Sequence, residues 1–572
     1  MKKKNKEPNQ TKKNIIFHIL AIFIISVFCV AVSPVTLQND TYYTIKIGEH
    51  ITETKTIDMQ DPFSHHEDLP YTYPHWLYDL ATYGIYSVFG FRGIYVATVL
   101  LAILLGLSIY YCNVRLSKSK FISLAVALGS MYLMKNFIAA RAQLVTFLLF
   151  ILTLYNIERF LQTKKKRYAI TLIIIPILIA NIHSAVWPFY FILYLPYIAE
   201  YAISAFMDSY WWFKLSLAMK KKKLEKLYKN KEKHAEKIEK LIRTVDNTQN
   251  TMDKFKASRE KAKVNPYKIR IGDNKNVKWL ILVMLICLFT GLLTPIGDTP
   301  YTYLIKTLEG NTTSSISEHL PLTLANNIGA AVVLVIFLVL LIFTDTKIRL
   351  RDLFMLGGLI FLTFMSRRQF SMLVIIGGFI LVRMVTEWMD KYDPQGLKPV
   401  ENFLTTWIGR IIALGYIGIV AFYFIQPKLD QKIVDVTDYP VEACAYVKEN
   451  LDVANIKLYN EYNNGSYILY QDIPVFIDSR CDLYSPEFNS EKNAEGKYDG
   501  KDIFTDALNI NSLSVDYEKK FEEYGITHLL IGANGKLNKV IKKDDNYNEL
   551  YADKYFVVYE RLTENVEEEI NE

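Results

Sequence analysis

What most constrains this chain is a series of long apolar runs. The first covers residues 14–33 and follows a tail holding Lys2, Lys3, Lys4, Lys6, Lys12 and Lys13. Further runs fall at 91–112, 119–138, 141–161, 167–183, 185–207, 278–295, 327–344, 350–366, 369–388 and 406–426, which makes eleven. About 20 apolar residues is the length at which a helix crosses the hydrocarbon of a bilayer, where the backbone must satisfy itself. The expected fold class is a polytopic α-helical membrane protein with about eleven transmembrane helices. A cytosolic enzyme is excluded. The first run is too long for the core of a signal peptide, and Pro34 follows Ser33 where a cut needs small residues. It therefore reads as an uncleaved anchor above a cytoplasmic basic tail, residues 1–13.

Charge sets the expected orientation. The net +7 is unevenly divided: residues 427–572 hold 16 Lys/Arg against 30 Asp/Glu, net −14, and the first 426 residues carry +21. Loop 214–278 alone holds 21 Lys/Arg against 8 Asp/Glu. Basic loops stay on the cytoplasmic side. Trp76–Gly90 is helical in pattern, but short and rich in Tyr and Trp. Counted as a span, it puts Arg115, Lys118, Lys120, the Lys164–Arg167 run and loop 214–278 outside. Counted as an interfacial helix on the outer surface, it puts all of them inside, which is the arrangement expected. Residues 14–426 then form the transmembrane domain, with a first outer loop at 34–90. Residues 427–572 form an acidic extracytoplasmic domain. The expected location is the plasma membrane, multi-pass, with the N-terminus cytoplasmic.

Within loop 214–278, Leu224, Ile238, Leu241, Ile242, Val245, Met252 and Phe255 recur at roughly helical spacing, which predicts a basic helical hairpin. Its expected partner is anionic lipid of the inner leaflet, at about 1 kcal/mol per cation near the surface. A partner helix is the other reading, and nucleic acid is not expected. In the tail, strand-like runs at Ile456–Tyr459, Tyr467–Leu469, Val475–Ile477, His528–Ile531 and Tyr555–Tyr559 mix with helical stretches Val441–Leu451 and Tyr517–Tyr524. These predict a small α/β domain that serves as a lid or acceptor-recognition module. Cys444 and Cys481 pair only if their Cα atoms come within about 7 Å. Cys29, Cys112 and Cys287 lie in or at apolar runs and read as packing residues.

Under this topology the polar residues with chemical potential collect on the outer face. Asp40, Asp58, Asp61, His65, His66, Glu67, Asp68 and His75 lie in the first outer loop. Arg141 opens a span, Asn181 and His183 sit at a turn, and Asp298, Glu318 and His319 lie in the loop at 296–326. Arg367 and Arg368 mark the next outer turn. Each alone has a plain reading as a snorkelling anchor or a locally bonded turn residue. Their convergence from separate segments points to a ring around a cavity at the membrane boundary. His65, His66 and His75 with the nearby acids match no compact zinc spacing.

Several motifs carry a resemblance. Asp40-Thr-Tyr-Tyr-Thr-Ile-Lys-Ile-Gly48, Asp61-Pro-Phe-Ser64, His75-Trp-Leu-Tyr-Asp79, Arg141-Ala-Gln143, Asn181-Ile-His183 and Arg367-Arg368 run through the membrane part. Asn464-Gly-Ser-Tyr-Ile468 and Val475-Phe-Ile-Asp-Ser-Arg480, with Asp482 and Tyr484, follow in the tail. Together they resemble bacterial membrane proteins of the GT-C glycosyltransferase superfamily, in a branch related to protein O-mannosyltransferases and aminoarabinose transferases. The chain departs from that branch at Gly465-Ser466, where Gly-Gly is usual, and at Ser184-Ala185, where a Gly-rich turn is usual.

The resemblance implies transfer of a sugar from a polyprenyl-phosphate-linked donor to an acceptor polymer or protein on the outer face. Asp40 is the implied general base, with Asp61 as the second candidate or as the cap of an Asp-Pro turn. The same two acids are the implied holders of a divalent metal, Mg or Mn, if one is used. Arg141, Arg367 and Arg368 are the implied phosphate ligands, since a guanidinium matches phosphate oxygens in a fork. Asn181 and His183 are implied donor contacts, and His65, His66, His75 and Glu318 are further candidates. The alternative is a non-catalytic protein of envelope polysaccharide assembly or export on the same scaffold. A transporter is disfavoured, because the charges of these runs stand at their ends and not near the midplane.

Overall fold

The computed structural model describes residues 8–229, 232, 234–310, 312–393 and 395–562. The chain is mainly helical, with a small sheet near its C-terminal end. Six helical segments are long and apolar enough to cross a membrane: Thr11–Val32, Trp76–Ser117, Ala142–Thr163, Ser184–Tyr228, Arg367–Tyr392 and Trp407–Lys428. The other apolar runs form shorter helices, at Lys120–Leu133, Lys166–Ile182, Val277–Leu292, Ile328–Phe343 and Leu350–Met365. Backbone close approach packs them, as expected where lipid removes the hydrophobic drive between helices. A Cβ added at Gly106 would lie 2.9 Å from Ile25 and 3.1 Å from the Cys29 sulfur, so the first helix rests directly on the Trp76–Ser117 helix.

Three findings refine or correct the sequence expectation. Trp76–Gly90 is helical and ends where expected: the stretch Trp76–Ser117 is two helices that meet at a kink at Gly90, whose φ is +61° and whose backbone is not helical. Glycine tolerates that angle because it has no Cβ. Second, Tyr467–Leu469 lies in the helix Gly465–Tyr470 and not in a strand. The apolar triplet is buried there on every side, and such a run has no period to separate helix from strand. Third, a buried ion-pair cluster forms that the sequence reading did not single out. Glu158 meets Arg349, Arg351 and Arg383 at 3.4–3.7 Å, Arg383 meets Asp352 at 2.8 Å, and Arg351 meets Glu200 at 3.2 Å. These groups balance one another inside the helix bundle.

The basic hairpin forms as expected, from helices Trp211–Tyr228 and Ala235–Val264. Lys220 donates to Thr248 at 2.6 Å, and the rings of Phe213 and Phe255 lie 5.7 Å apart.

In chain order the strands are β1 (Ile269–Arg270), β2 (Ile348–Arg349), β3 (Leu458–Asn460), β4 (His528–Gly532), β5 (Tyr547–Ala552) and β6 (Phe556–Arg561). β1 and β2 form a short parallel pair. The tail sheet has the order β3-β4-β6-β5, with β3 parallel to β4 and the other neighbours antiparallel. The tail does not stand apart from the segment 34–90. Tyr42 packs edge-on against Tyr439 and Tyr467 at 4.9 and 5.0 Å, and Ser64 bridges to Val475. One buried core contains Tyr42, Tyr43 and Ile47 together with Phe476, Leu529 and Val558. Cys444 and Cys481 are both free.

Candidate functional site

Helix Asn39–Thr54 and the start of helix Trp76–Ser117 build the site. Gly48 lets them touch: a Cβ there would fall 2.3 Å from the Asp79 carbonyl oxygen. Asp40 stands in the first turn of its helix, where a carboxylate suits the dipole. Its Oδ2 lies 2.9 Å from Arg141 Nε, and Arg141 Nη1 donates to Glu318 at 3.1 Å. One guanidinium therefore joins acids from two separate loops. Burial works against the Glu318 carboxylate, yet Arg141 and Arg368 hold it below the ordinary range.

The arginine pair is tied to the same loop through the backbone. Arg367 N–H donates to the Leu320 carbonyl and Arg368 N–H to the Glu318 carbonyl, both at 3.0 Å. Their side chains then differ. Arg367 Nε donates to the Pro321 carbonyl at 3.3 Å. The Arg368 guanidinium has no hydrogen bond or ion pair to any described residue, although its charge acts on His75, Glu318, His319 and Asp482. Burial and Arg368 together push the His319 imidazole down to about 4. The site thus holds one guanidinium that no described residue bonds directly, with the Glu318 and Asp482 carboxylates in its field.

Beside it lies a dyad. His75 Nδ1 is 3.0 Å from both oxygens of Asp79, whose side chain is fully buried, and His75 Nε2 is 3.3 Å from the Tyr43 hydroxyl. Burial opposes charge on His75, but Asp79 and then Asp40 outweigh it and raise its pKa above the ordinary value. The ring of His183 lies 6.4 Å from that of His75, and His183 Nδ1 is 3.0 Å from Thr146 Oγ1. A cleft of about 230 Å³ opens next to these groups, lined by Leu77, Tyr78, Ile94, Leu101, Val145 and Ile182 among others. Its walls are apolar.

The remaining candidates stand elsewhere or play other parts. Asp61 is fully buried and pairs with Arg480 at 2.7 Å, while its oxygens accept from the N–H groups of Phe63 and Ser64. Arg480 also holds Asp478 at 2.6 Å, and Tyr484 donates to Asp478. This geometry makes Asp61 the turn cap and half of a buried ion pair. Asp40 and Asp61 therefore belong to separate ion pairs and do not form one metal pocket. Among the described residues no group of three or more His, Cys, Asp or Glu is placed to hold a metal ion. His66 Nε2 contacts the Phe476 carbonyl at 2.8 Å, and burial with His66 beside it pushes His65 down to about 3. Asn181 Nδ2 donates to the Ile177 and Leu293 carbonyls at 2.8 and 2.9 Å, so its amide is used in joining two segments.

Asp79 and Tyr43 went unrecognised as parts of this group, although both lie in motifs read from the sequence. The His75/Asp79 spacing of four residues at a helix start was the available signal. Asp482 is a further acid near the site. It accepts from Tyr303 and, at 3.3 Å, from Thr312, and burial raises its carboxyl above the ordinary carboxylate range. No family model matches the chain, and no curated protein matches it.

Proposed function

We propose that the chain transfers a glycosyl group from a polyprenyl-phosphate-linked donor to an acceptor hydroxyl, in the manner of GT-C glycosyltransferases. The observation that carries this reading is the Arg368 guanidinium, which bonds no described residue directly and is tied through its backbone to Glu318, the partner of Arg141 in the Asp40–Arg141 group; the apolar cleft lies among neighbouring residues. A guanidinium with free donors suits an anionic ligand, and phosphate above all. The cleft suits the isoprenoid that carries it. Asp40 accepts the proton of the acceptor hydroxyl as the new glycosidic bond forms. Arg368, with Arg141, takes up the charge that develops on the departing phosphate. The reading includes the finer topology: the six long apolar segments and the five shorter ones make eleven spans. The site then faces the outer side, with the N-terminus and the basic hairpin inside.

The test compares cell-surface glycans in cells making the wild type or Asp40→Asn at equal protein level. Loss of one glycan with Asp40→Asn supports the reading, and an unchanged profile removes Asp40 as the base.

A further inference from the structure

The Asp79–His75 pair stands apart from the ion pairs that Arg141 makes with Asp40 and Glu318. Asp79 turns both carboxylate oxygens on one imidazole nitrogen and is closed to solvent. Such a carboxylate fixes which nitrogen carries the proton and favours the imidazolium over the neutral ring. The other nitrogen, Nε2, then points away from Asp79, toward Tyr43. The charged and titratable groups facing His75 are Asp79 on its own helix, Asp40 and Tyr43 on helix Asn39–Thr54, His183 at the end of helix Lys166–Ile182, and Arg368 on the turn before helix Phe370–Tyr392. Asp79 and Asp40 favour the proton, and Arg368 opposes it.

We propose that His75, aligned by Asp79, is a further cation of the Arg368 and Arg141 site, so that imidazolium and guanidinium together hold a phosphodiester anion. This rests on the glycosyl-transfer reading and adds to it a named ligand for the donor's phosphate. A further cation raises affinity for the anion beyond what the guanidinium groups supply, and it does so only while the imidazole is protonated. His75 is then a binding residue and Asp79 a positioning residue.

The experiment measures binding by the full-length protein in nanodiscs at about pH 6 and about pH 8, on either side of the ordinary histidine value. Two probes are used: farnesyl methyl phosphate and dimethyl phosphate, each a diester whose single charge does not titrate in that window. The wild type should bind the farnesyl diester about tenfold more tightly at the lower pH, the worth of one charge-assisted hydrogen bond. His75→Gln should lose that pH dependence and bind at the wild type's weaker level. Asp79→Asn should shift the dependence to lower pH, and Tyr43→Phe, which keeps both charges, should retain it.

Arg368→Gln should weaken binding at both pH values. If it does and His75→Gln keeps the wild-type pH profile, the proposal fails while the anion site stands. If Arg368→Gln binds as the wild type does, or the wild type binds neither probe, the reading beneath it fails as well. Thermal unfolding of each variant separates lost binding from lost folding, and Tyr43→Phe keeps the comparison usable if Asp79→Asn does not fold. Equal binding of the two probes would assign the site to free phosphodiesters, and preference for the farnesyl probe to a lipid headgroup.

Discussion

The Arg480 guanidinium lies 2.7 Å from the carboxylate of Asp61, 419 residues earlier in the chain, and neither side chain is more than 2% exposed. The pair fastens the tail to the segment that follows the first long apolar helix. Removing one partner of a buried ion pair strands the other, at about 3–5 kcal/mol. Arg480→Met should therefore lower thermal stability by that order. Burial raises the Asp61 carboxyl, but Arg480 and Ser64 lower it by more, to a net value below the ordinary one. A carboxylate depressed in the folded state stabilises above its unfolded pKa and loses that contribution as pH falls through the folded value. The pair's contribution should be full at neutral pH and fade below about pH 4. Asp61→Asn should remove that acid limb from the stability profile. An unchanged limb would detach Asp61 from this role.

Close contact at Gly48 gives a second expectation. Gly48→Val places atoms where the Asp79 carbonyl now sits and should push helix Asn39–Thr54 away from His75 and Asp79. The cost is about 1–3 kcal/mol for overpacking, accompanied by loss of the surface glycan. Gly84→Ala, with nothing within 4 Å of the added carbon, is the neutral control. Unfolding midpoints of both variants check this.

How much of this was legible in the sequence follows from the physics of each element. Long apolar runs and the basic hairpin were readable because one period and one charge sign repeat over many residues. The break at Gly90 was readable too, because a short stretch rich in Tyr and Trp gives way there to a long apolar run, and the backbone kinks at that residue. Asp40, Arg141, Glu318 and the arginine pair were each suspected, and the structure brings them together. Asp61 looked equally suitable, because a motif does not show that Arg480 closes on it from 419 residues away. The Glu158 cluster escaped notice for a similar reason: Arg349 and Arg351 sit at a helix start, where an anchor in lipid and a partner in the bundle read alike, and Arg383 comes from a separate helix.

That cluster makes a third expectation. Glu158 is 5% exposed and meets three arginines. Glu158→Gln leaves them short of an anion and should destabilise by roughly 3 kcal/mol. Adding Arg351→Gln should recover part of the loss, because one excess cation goes with it. Double-mutant analysis of unfolding in detergent checks this, and additive losses would contradict it.

Orientation is tested at Lys164, which ends helix Ala142–Thr163. A cysteine placed there, with the five native cysteines replaced, should be labelled by an impermeant reagent only after the cells are opened. Labelling of intact cells would turn the Asp40 site inward and set the positive-inside argument aside.

The central claim is that Asp40 drives release of a sugar from a lipid phosphate. It is tested most directly by mass spectrometry of the lipid extract from cells expressing Asp40→Asn beside the wild type at matched protein level. The account predicts accumulation of one polyprenyl phosphodiester carrying a sugar, together with loss of that sugar from the cell surface. Identical lipid pools and identical surface glycans in the two strains would contradict it.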